Sequence, residues 1–528
     1  MSEVLGRTGG DGDDGLLVRV TGGVVRGVRE GSMRVWRGMP YAAPPMGELR
    51  FRAPAPVPAW SGIRDAGAFG PIAPQARAAR LVRPAALLAP ADEDCLNLNV
   101  VAPERDAGAP SLPVMVFVHG GGYSAGSSRD FSGQGEGFVH SGRVVYVSFN
   151  YRLGALGYLD LTRYGTERHP FEANLGVRDQ VAALRWVREN IAAFGGDASR
   201  VTVFGESAGG NAITTLMAMP SARGLFAGAI AQSPPPDAVY SRELAARWAS
   251  EYLALLREVV RERTPGGDVA ASASPDRLLA DAAVDDLVAA SVALQVRTPD
   301  AYPGAFCFAP VVDGDVVPER PFVAFREGRA NRVPLIIGTN DREGSIFRGR
   351  VDILPRTPSR IADLFARAPG HARQPMRDAY PDLPARRSAA DFGGDYGFWY
   401  PSTRIADAAS RWAPVWSYRF DFAPRLLKLV GLDATHGVEM FALFDRTDVP
   451  LARVFTSLGG YEQYAAAGER MRRMWLHFAE HGDPGPSWPQ YDERARSTLV
   501  IDAEDRIESD PRAERRRAWD AFAPALAG

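Results

Sequence analysis

The segment Gly205-Glu206-Ser207-Ala208-Gly209 decides the fold of this 528-residue chain. It follows a short apolar run at residues 201–204 and precedes a helix-compatible stretch at residues 211–218. A strand, a tight turn and a helix in this order are the context in which a serine hydroxyl is held out of a sheet as a nucleophile. The two glycines give the strand and the helix room to approach each other. Ser207 is therefore a candidate nucleophile, although the five-residue pattern by itself is common in proteins.

A run of three glycines is the second motif with a candidate role in catalysis. It lies in His119-Gly120-Gly121-Gly122-Tyr123, directly after the apolar residues 114–118. Such glycines can turn their backbone N–H groups toward the oxyanion that develops during acyl transfer. The N–H of Ala208, directly after the candidate nucleophile, would cooperate with them. The position of the run before Ser207 favours an oxyanion site over a simple flexible loop.

A nucleophilic serine needs a base, and the chain contains seven histidines: His119, His140, His169, His371, His436, His477 and His481. Where a nucleophilic serine stands between a strand and a helix in this way, the chain order is nucleophile, acid, histidine. This order excludes the three histidines that precede Ser207. The pair at 477 and 481 lacks the adjacent glutamate of a metal-binding helix motif, and we interpret it as a surface pair near a helix end. His436 follows the strand-like residues 415–422 and stands beside Gly437 in a loop. It is the best candidate for the base.

The acid that orients this histidine must lie between the serine and the histidine in the chain. Residues 334–337 form a short apolar run that is typical of a buried strand, and Asp341 and Glu343 follow it closely. Either carboxylate could orient the imidazole and stabilise its protonated form. The pattern alone does not choose between them.

Alternation of strands and helices predicts the architecture. Short apolar runs at residues 114–118, 144–149, 201–204 and 334–337 are typical of strands buried on both faces. Helical spacing of apolar residues at 179–191 and 244–259 falls between them. We therefore expect an α/β protein with a large, mostly parallel sheet. Residues 1–15 are expected to form a disordered tail, and residues 16–528 a single domain.

Composition excludes several classes of protein. The chain has 61 basic and 63 acidic residues, a balance that argues against a nucleic-acid partner. No apolar run is long enough to predict a membrane span, and the first residues do not resemble a signal peptide. Cys95 and Cys307 are the only cysteines, too few for a disulfide framework, so a cytoplasmic location is expected. The single lysine, Lys428, lies beside no glycine-rich loop, which argues against phosphate-loop and Schiff-base chemistry.

Several longer motifs resemble the type-B carboxylesterase family, the group that includes para-nitrobenzyl esterases and cholinesterases. The resemblance runs from about residue 24 to about residue 511, and its motifs occur in the family's order. The motifs that carry it are Gly38-Met39-Pro40-Tyr41-Ala42, Pro44-Pro45-Met46-Gly47-Glu48-Leu49-Arg50-Phe51, Glu93-Asp94-Cys95-Leu96-Asn97-Leu98-Asn99-Val100, Asn150-Tyr151-Arg152-Leu153-Gly154, Asn190-Ile191-Ala192-Ala193-Phe194-Gly195-Gly196-Asp197 and the serine segment 204–210.

This resemblance implies an α/β-hydrolase fold with helices on both faces of the sheet and long helical insertions. It also implies that Glu343, rather than Asp341, is the acid, and that His436 is the base. The family's oxyanion donors fall on Gly121, Gly122 and Ala208. Two supporting residues are implied as well: Glu206, which shapes the field around the site, and Ser233, a second serine that supports the triad.

The chain also departs from the family. The family has glycine after the second serine, whereas here three prolines, 234–236, follow Ser233 and would border the substrate pocket. No cysteine precedes Cys95, so this residue is expected to be a free, buried thiol. Residues 75–90 replace the loop that holds the choline-binding tryptophan of cholinesterases. No tryptophan occurs between Trp60 and Trp186, and cholinesterase activity is not expected.

Together these features predict a serine carboxylesterase that hydrolyses esters of small to medium apolar acids and alcohols through an acyl-serine intermediate. Its partner would be a small-molecule ester, and no metal or cofactor is expected. The alternatives are a non-catalytic binding protein on the same fold or, among enzymes, a lipase or a carbamate or amide hydrolase. The physiological ester, its acyl-chain length and stereochemistry, the effect of the three prolines on the pocket and the oligomeric state stay open.

Overall fold

The computed structural model describes residues 15–76, 90–106, 108–130, 134–263, 267–347 and 352–522. Nearly all of the expected tail, residues 1–14, lies outside the described residues, as does most of segment 75–90. The strands are β1 Leu17–Val20, β2 Gly23–Arg26, β3 Val28–Glu30, β4 Met33–Pro40, β5 Ile63–Asp65, β6 Asn97–Pro103, β7 Leu112–Val118, β8 Val145–Phe149, β9 Gly196–Glu206, β10 Gly228–Gln232, β11 Tyr240–Ser241, β12 Val311–Val312, β13 Leu335–Asn340, β14 Val415–Phe420, β15 Ser497–Ile501 and β16 Arg506–Ser509.

Eleven of these strands form one sheet in the order β16-β15-β14-β13-β10-β9-β7-β8-β6-β4-β3. The seven central strands, from β15 to β8, pair in parallel. The strands at the two edges pair antiparallel. The prediction of a large, mostly parallel sheet is therefore confirmed. Each apolar run used for that prediction lies within or overlaps one of the central strands.

Helices connect the strands and lie between them in the chain. The α-helices are Glu136–Val139, Gly154–Tyr158, Leu175–Asn190, Ala208–Ala218, Arg242–Arg263, Gly267–Ala271, Pro275–Asp281, Val284–Ala301, Pro321–Arg326, Pro358–Arg367, Gly370–Ala379, Arg386–Gly394, Tyr400–Ala409, Arg425–Leu429, Glu439–Leu443, Pro450–Phe455, Tyr461–His481 and Ala513–Phe522. The 3₁₀ helices are Gly47–Leu49, Thr162–Tyr164, Ile191–Phe194, Pro220–Ala222 and Glu343–Ser345, and Asp395–Trp399 is a π-helix. None of the helices in the described part of the chain is long and apolar enough to cross a membrane.

Strand β7 shows why the central runs are apolar at every position. Side chains alternate between the two faces of a strand. Val114, Val116 and Val118 pack into the core on one face of the sheet, whereas Met115 and Phe117 pack into a second core on the other face. Both faces are therefore covered, as expected for a parallel sheet.

The ends of the central strands bring the candidate residues to one edge of the sheet. Ser207 follows β9, the glycine run follows β7, and Glu343 comes shortly after β13. Parallel strands all present their carboxyl ends on the same side, which is where open α/β sheets place their ligand crevice. Residues that are far apart in the chain therefore meet at this edge.

Candidate active site

Ser207 occupies a strained turn between β9 and the helix Ala208–Ala218. Its backbone has φ 60° and ψ −123°, a conformation that residues with a side chain rarely adopt. The turn is held from both sides: the N–H of Ser207 donates to the carbonyl of Gln232 at 2.9 Å, and its carbonyl accepts from the N–H of Asn211 at 2.9 Å. Strain of this kind costs about 1–3 kcal/mol and persists only where the surroundings enforce it.

The glycines of the serine segment are required by close backbone packing. A Cβ added at Gly209 would lie 2.1 Å from the carbonyl oxygen of Val118, and one added at Gly205 would lie 2.6 Å from the same oxygen. Backbone atoms of a central strand cannot move away from such a clash. The pattern of glycines around Ser207 is thus explained by the approach of helix and sheet, as the sequence predicted.

The glycine run forms a loop directly against Ser207. A Cβ added at Gly120 would lie 3.2 Å from the Cβ of Ser207. Gly121 and Gly122 have positive φ values of 107° and 60°, so their amide planes adopt orientations that other residues disfavour. Gln75 clamps the far end of the loop, because its amide donates to the carbonyl of Gly126 at 2.9 Å and accepts from the N–H of Gly126 at 3.0 Å.

Ala208 is the third predicted oxyanion donor. It is the first residue of the helix Ala208–Ala218, so its N–H is not used by the helix's own hydrogen-bond ladder. The N-terminus of a helix also carries a partial positive charge, which favours an anion. The two glycines and Ala208 therefore lie on the two segments that border Ser207.

His436 and Glu343 form a close pair. The Nδ1 of His436 lies 2.5 Å from Oε2 of Glu343. The other carboxylate oxygen, Oε1, accepts from the hydroxyl of Ser233 and from the N–H of Asn340, both at 2.6 Å. Both oxygens of the buried carboxylate are thus engaged, and its orientation toward the imidazole is fixed.

Asp341, the competing candidate for the acid, contacts other groups. Its carboxylate and its carbonyl both accept hydrogen bonds from Arg512, and it lies 3.8 Å from the guanidinium of Arg419. The geometry therefore brings His436 together with Glu343, as the family resemblance implied. Ser233, the second serine that the resemblance implied, donates its hydroxyl to the carboxylate of Glu343.

Glu206 faces the other nitrogen of the imidazole. Its Oε1 lies 3.2 Å from Nε2 of His436. Burial raises the pKa of Glu206 to about 7, although the imidazole opposes this shift. Burial alone would lower the pKa of His436, but the carboxylates of Glu206 and Glu343 outweigh it and raise the pKa to about 9. Two carboxylates therefore stabilise the imidazolium form of His436.

Glu439 is a third buried carboxylate at the site, and the sequence analysis assigned it no role. It lies three residues after His436 and accepts hydrogen bonds from the side-chain amides of Asn340, at 2.6 Å, and Gln232, at 3.4 Å. Burial and the nearby carboxylate of Glu206 raise the pKa of Glu439 to about 8. The available signal was a lone charge in an otherwise apolar stretch, Val438-Glu439-Met440-Phe441.

Aromatic rings cover the imidazole of His436. Its ring centroid lies 4.5 Å from that of Phe398 and 5.3 Å from that of Phe347. Phe398 belongs to the π-helix Asp395–Trp399, and the buried rings of Trp399 and Tyr400 pack into a separate core around the last helix. This aromatic stretch therefore serves both core packing and the surroundings of the histidine.

Three of the other histidines lie in different environments. His119 is buried and stacks on Tyr151 with a centroid distance of 4.3 Å, and burial lowers its pKa to about 4. His477 and His481 lie near the end of the helix Tyr461–His481, with side chains 36% and 56% exposed. Across the described ranges, no group of three or more histidine, cysteine or acidic side chains could hold a metal ion.

The departures from the family pattern have visible structural consequences. The carbonyl of Pro234 accepts from the hydroxyl of Ser402 at 3.3 Å, and that of Pro235 accepts from the side-chain amide of Asn211 at 2.7 Å. The prolines thus tie the loop after β10 to two helices. Cys95 and Cys307 are both free and buried.

A strained serine after a central strand, a glycine loop beside it and a histidine–carboxylate pair at the same edge define a serine hydrolase of the α/β-hydrolase fold. A model of the carboxylesterase family matches residues 14–519. The chain therefore belongs to the carboxylesterase family, and it is a carboxylic ester hydrolase.

Similar proteins agree with this assignment. The chain is 36% identical over 523 residues to the para-nitrobenzyl esterase of Bacillus subtilis, an alignment that covers 95% of this chain and 98% of that protein. It is 33% identical over 497 residues to the fumonisin B1 esterase of Sphingopyxis macrogoltabida, with coverages of 91% and 86%. A solved structure of a PNB esterase superposes with a TM-score of 0.80 at 35% identity, covering 96% of this chain and 99% of that one.

Proposed function

We propose that Ser207 is the nucleophile of this esterase, that His436 is its base and that Glu343 orients the base. The observation that carries the proposal is the conjunction of a strained serine with a histidine whose Nδ1 lies 2.5 Å from a buried carboxylate. Gly121, Gly122 and Ala208 would bind the oxyanion through their N–H groups. Glu206 and Ser233 would support the histidine and the carboxylate.

In the first half of the reaction, Oγ of Ser207 attacks the ester carbonyl while Nε2 of His436 takes the hydroxyl proton. The negative charge on the carbonyl oxygen is bound by the three backbone N–H groups, each of which contributes about 3–4 kcal/mol in comparable sites. The imidazolium then gives its proton to the departing alcohol, and an acyl-serine remains. Glu343 keeps Nδ1 protonated, so that Nε2 is the nitrogen that can accept the proton.

In the second half, His436 takes a proton from a water molecule that attacks the acyl-serine. A second oxyanion forms at the same three N–H groups, and its collapse releases the carboxylic acid and restores Ser207. Every proton is exchanged between water, alcohol and groups on this chain. No metal or cofactor is needed for any step.

The chain is similar to a protein named para-nitrobenzyl esterase, and a para-nitrobenzyl ester contains a small aromatic alcohol. We infer that the substrates are esters of small to medium apolar acids and alcohols.

Three other functions are less well supported. A non-catalytic binding protein on this fold would not need the strained serine or the buried histidine–carboxylate pair. A lipase would act on esters of long-chain acids, whereas both similar proteins reported above are named as esterases. A carbamate or amide hydrolase would use the same machinery on a different leaving group. The cytoplasmic location and the single-domain organisation stay predictions.

Hydrolysis of para-nitrophenyl esters from acetyl to palmitoyl tests the proposed function. We expect kcat/KM to be highest among the short acyl chains, in line with the small to medium acids proposed above. A serine-directed organophosphate should stop turnover and leave its phosphoryl group on the peptide that contains Ser207, as read by mass spectrometry. A maximum at palmitoyl would indicate a lipase. Neither turnover nor labelling would indicate a binding protein.

The pH dependence of Glu206→Gln tests the electrostatics of His436. Catalysis needs a neutral imidazole, so activity should rise with pH through the pKa of His436, which Glu206 and Glu343 hold above its ordinary value. Removing the Glu206 carboxylate destabilises the imidazolium and lowers this pKa. The acid limb of kcat/KM should therefore move to lower pH, and the plateau should fall by about tenfold.

The matched control for this profile is Glu258→Gln, which removes an exposed carboxylate from the helix Arg242–Arg263. This variant should leave the acid limb and the plateau of the kcat/KM profile unchanged. An acid limb that stays in place in Glu206→Gln, or moves to higher pH, would contradict the assigned interaction between Glu206 and the imidazole.

A further inference from the structure

A separate cavity lies next to the π-helix whose Phe398 contacts His436. It measures about 480 Å³, which lies within the range of small-molecule sites. Its walls come from the loop after β10, residues 302–306, the helix Pro321–Arg326 and the segment from the π-helix into Tyr400–Ala409. Ser207, Glu343, His436 and the glycine loop are not part of its lining.

The charged groups of this cavity are unbalanced. Its lining contains four arginines and one carboxylate: Arg320, Arg326, Arg367, Arg404 and Asp237. Arg326 is paired with Glu327 at 2.8 Å. Asp237 lies 3.5 Å from Arg404. Burial raises the pKa of Asp237, and the positive charges of Arg404 and Arg320 oppose this rise. A single carboxylate therefore faces two guanidinium groups, with a third at the rim, and the cavity favours an anion.

Aromatic side chains also line the cavity. Five aromatic residues in the lining are half-buried: Tyr240, Tyr302, Phe306, Phe322 and Tyr396. The guanidinium of Arg404 lies over the ring of Phe322, with its carbon 3.6 Å from the ring centroid. Planar cations and aromatic rings together favour a flat ligand that stacks and carries a negative charge.

The walls are held in place without a ligand. The hydroxyl of Tyr240 accepts from the N–H of Phe306 at 3.0 Å. The ring of Tyr396 packs against Gly304 so closely that a Cβ at this glycine would lie 2.2 Å from it. A preformed cavity spares a ligand the cost of ordering the residues around it.

We propose that this cavity is a binding site for an aromatic organic anion, an aryl carboxylate or sulfonate of about naphthalene size. Arg320 and Arg404 bind the anionic group, and the tyrosine and phenylalanine rings bind the aromatic body. The proposal goes beyond ester hydrolysis, because it rests on none of the residues assigned to that reaction.

Isothermal titration calorimetry of the full chain with 2-naphthoate tests the proposal, with neutral 2-naphthamide as the ligand of matched shape. We expect 2-naphthoate to bind at least tenfold more tightly than the amide. The double variant Arg320→Gln, Arg404→Gln should weaken naphthoate binding by about tenfold or more, since each charge-assisted hydrogen bond lost is worth about that factor. Arg453→Gln, a change at an exposed arginine of the helix Pro450–Phe455, should not alter the affinity.

Asp237→Asn is expected to strengthen naphthoate binding, whereas the arginine variants should weaken it. This makes it the more selective test. It removes the one carboxylate of the cavity and its attraction for the guanidinium of Arg404, so naphthoate should bind several-fold more tightly. A loss of structure would weaken binding in this variant too, so tighter binding distinguishes recognition by charge from damage to the fold. Arg367→Gln, at the exposed end of the helix Pro358–Arg367, should weaken binding if the double variant does not fold.

Three results would overturn the proposal. They are equal affinities for the acid and the amide, naphthoate binding that none of the cavity variants changes, and no heat of binding at millimolar naphthoate. The second result would place the ligand elsewhere, including at the ester site. None of these results bears on Ser207, so the proposed esterase mechanism would stand or fall separately.

Discussion

Replacing Ser207 by alanine is expected to lower kcat for para-nitrophenyl acetate by about 10⁴-fold or more while leaving the fold intact. Alanine keeps the Cβ and the backbone preferences of serine, so the strained turn at φ 60° and ψ −123° is no harder to hold. Only the hydroxyl oxygen is lost. Without it no acyl-enzyme can form, and what remains is the stabilisation that the oxyanion donors give to direct attack by water.

Ser199→Ala is the matched control for this prediction. Ser199 lies on the same strand, β9, but its side chain is exposed and bonds only to Asp197 among the contacts described. This variant should keep full turnover. Circular dichroism and the melting temperature should show both variants folded, and the organophosphate should label the control but not Ser207→Ala. Retained turnover in a folded Ser207→Ala variant would remove Ser207 as the nucleophile.

The sheet was predictable from sequence because its signals are local. The runs at 114–118 and 201–204 have apolar side chains at odd and at even positions. This pattern predicts strands that are buried on both faces, as β7 and β9 are there. The glycines of the serine segment also have a local explanation, because a side chain at Gly205 or Gly209 would clash with the adjacent strand β7. Such features depend on the residues within a few positions of the motif, and they can be seen without knowing the rest of the fold.

The choice between Asp341 and Glu343 was not local. Both carboxylates follow β13 within a few residues, and nothing in that segment distinguishes them. What separates them is Arg512, which binds Asp341 from 171 positions away, and Ser233, which bonds Glu343 from 110 positions away. Only the family resemblance carried this long-range information into the sequence analysis.

The buried carboxylate of Glu439 and the arginine-lined cavity were even harder to predict from the sequence, because both depend on contacts between residues far apart in the chain. The position of Glu439 has a meaning only because Asn340 of β13 and Gln232 of β10 donate hydrogen bonds to its carboxylate. The cavity brings together segments that begin near residue 235 and end at Trp519. No periodicity or short motif links such segments, because their proximity is created by the order of strands in the sheet.

Replacing Glu343 by glutamine is expected to lower kcat by about 10³–10⁴-fold, far more than Asp341→Asn. Oε1 of Glu343 accepts from the hydroxyl of Ser233 and the N–H of Asn340. These donors would hold the carbonyl oxygen of the new amide at the Oε1 position and turn its NH₂ group toward Nδ1 of His436. An NH₂ group donates, so Nδ1 would become an acceptor and Nε2 would carry the proton. A histidine in that tautomer cannot take the proton of Ser207.

Asp341→Asn is the control that makes this experiment selective, because it makes the same chemical change two residues away. Its side chain is 34% exposed, and the variant loses ionic contacts with Arg512 and Arg419. These losses should lower the melting temperature slightly and leave kcat within about threefold, since partly exposed ion pairs contribute little. If Asp341→Asn lost more activity than Glu343→Gln, the acid would have to be reassigned to Asp341. If both variants kept full activity, His436 would not depend on a carboxylate at Nδ1, and the orientation of the base would have to come from the carboxylate of Glu206 on the other side of the ring.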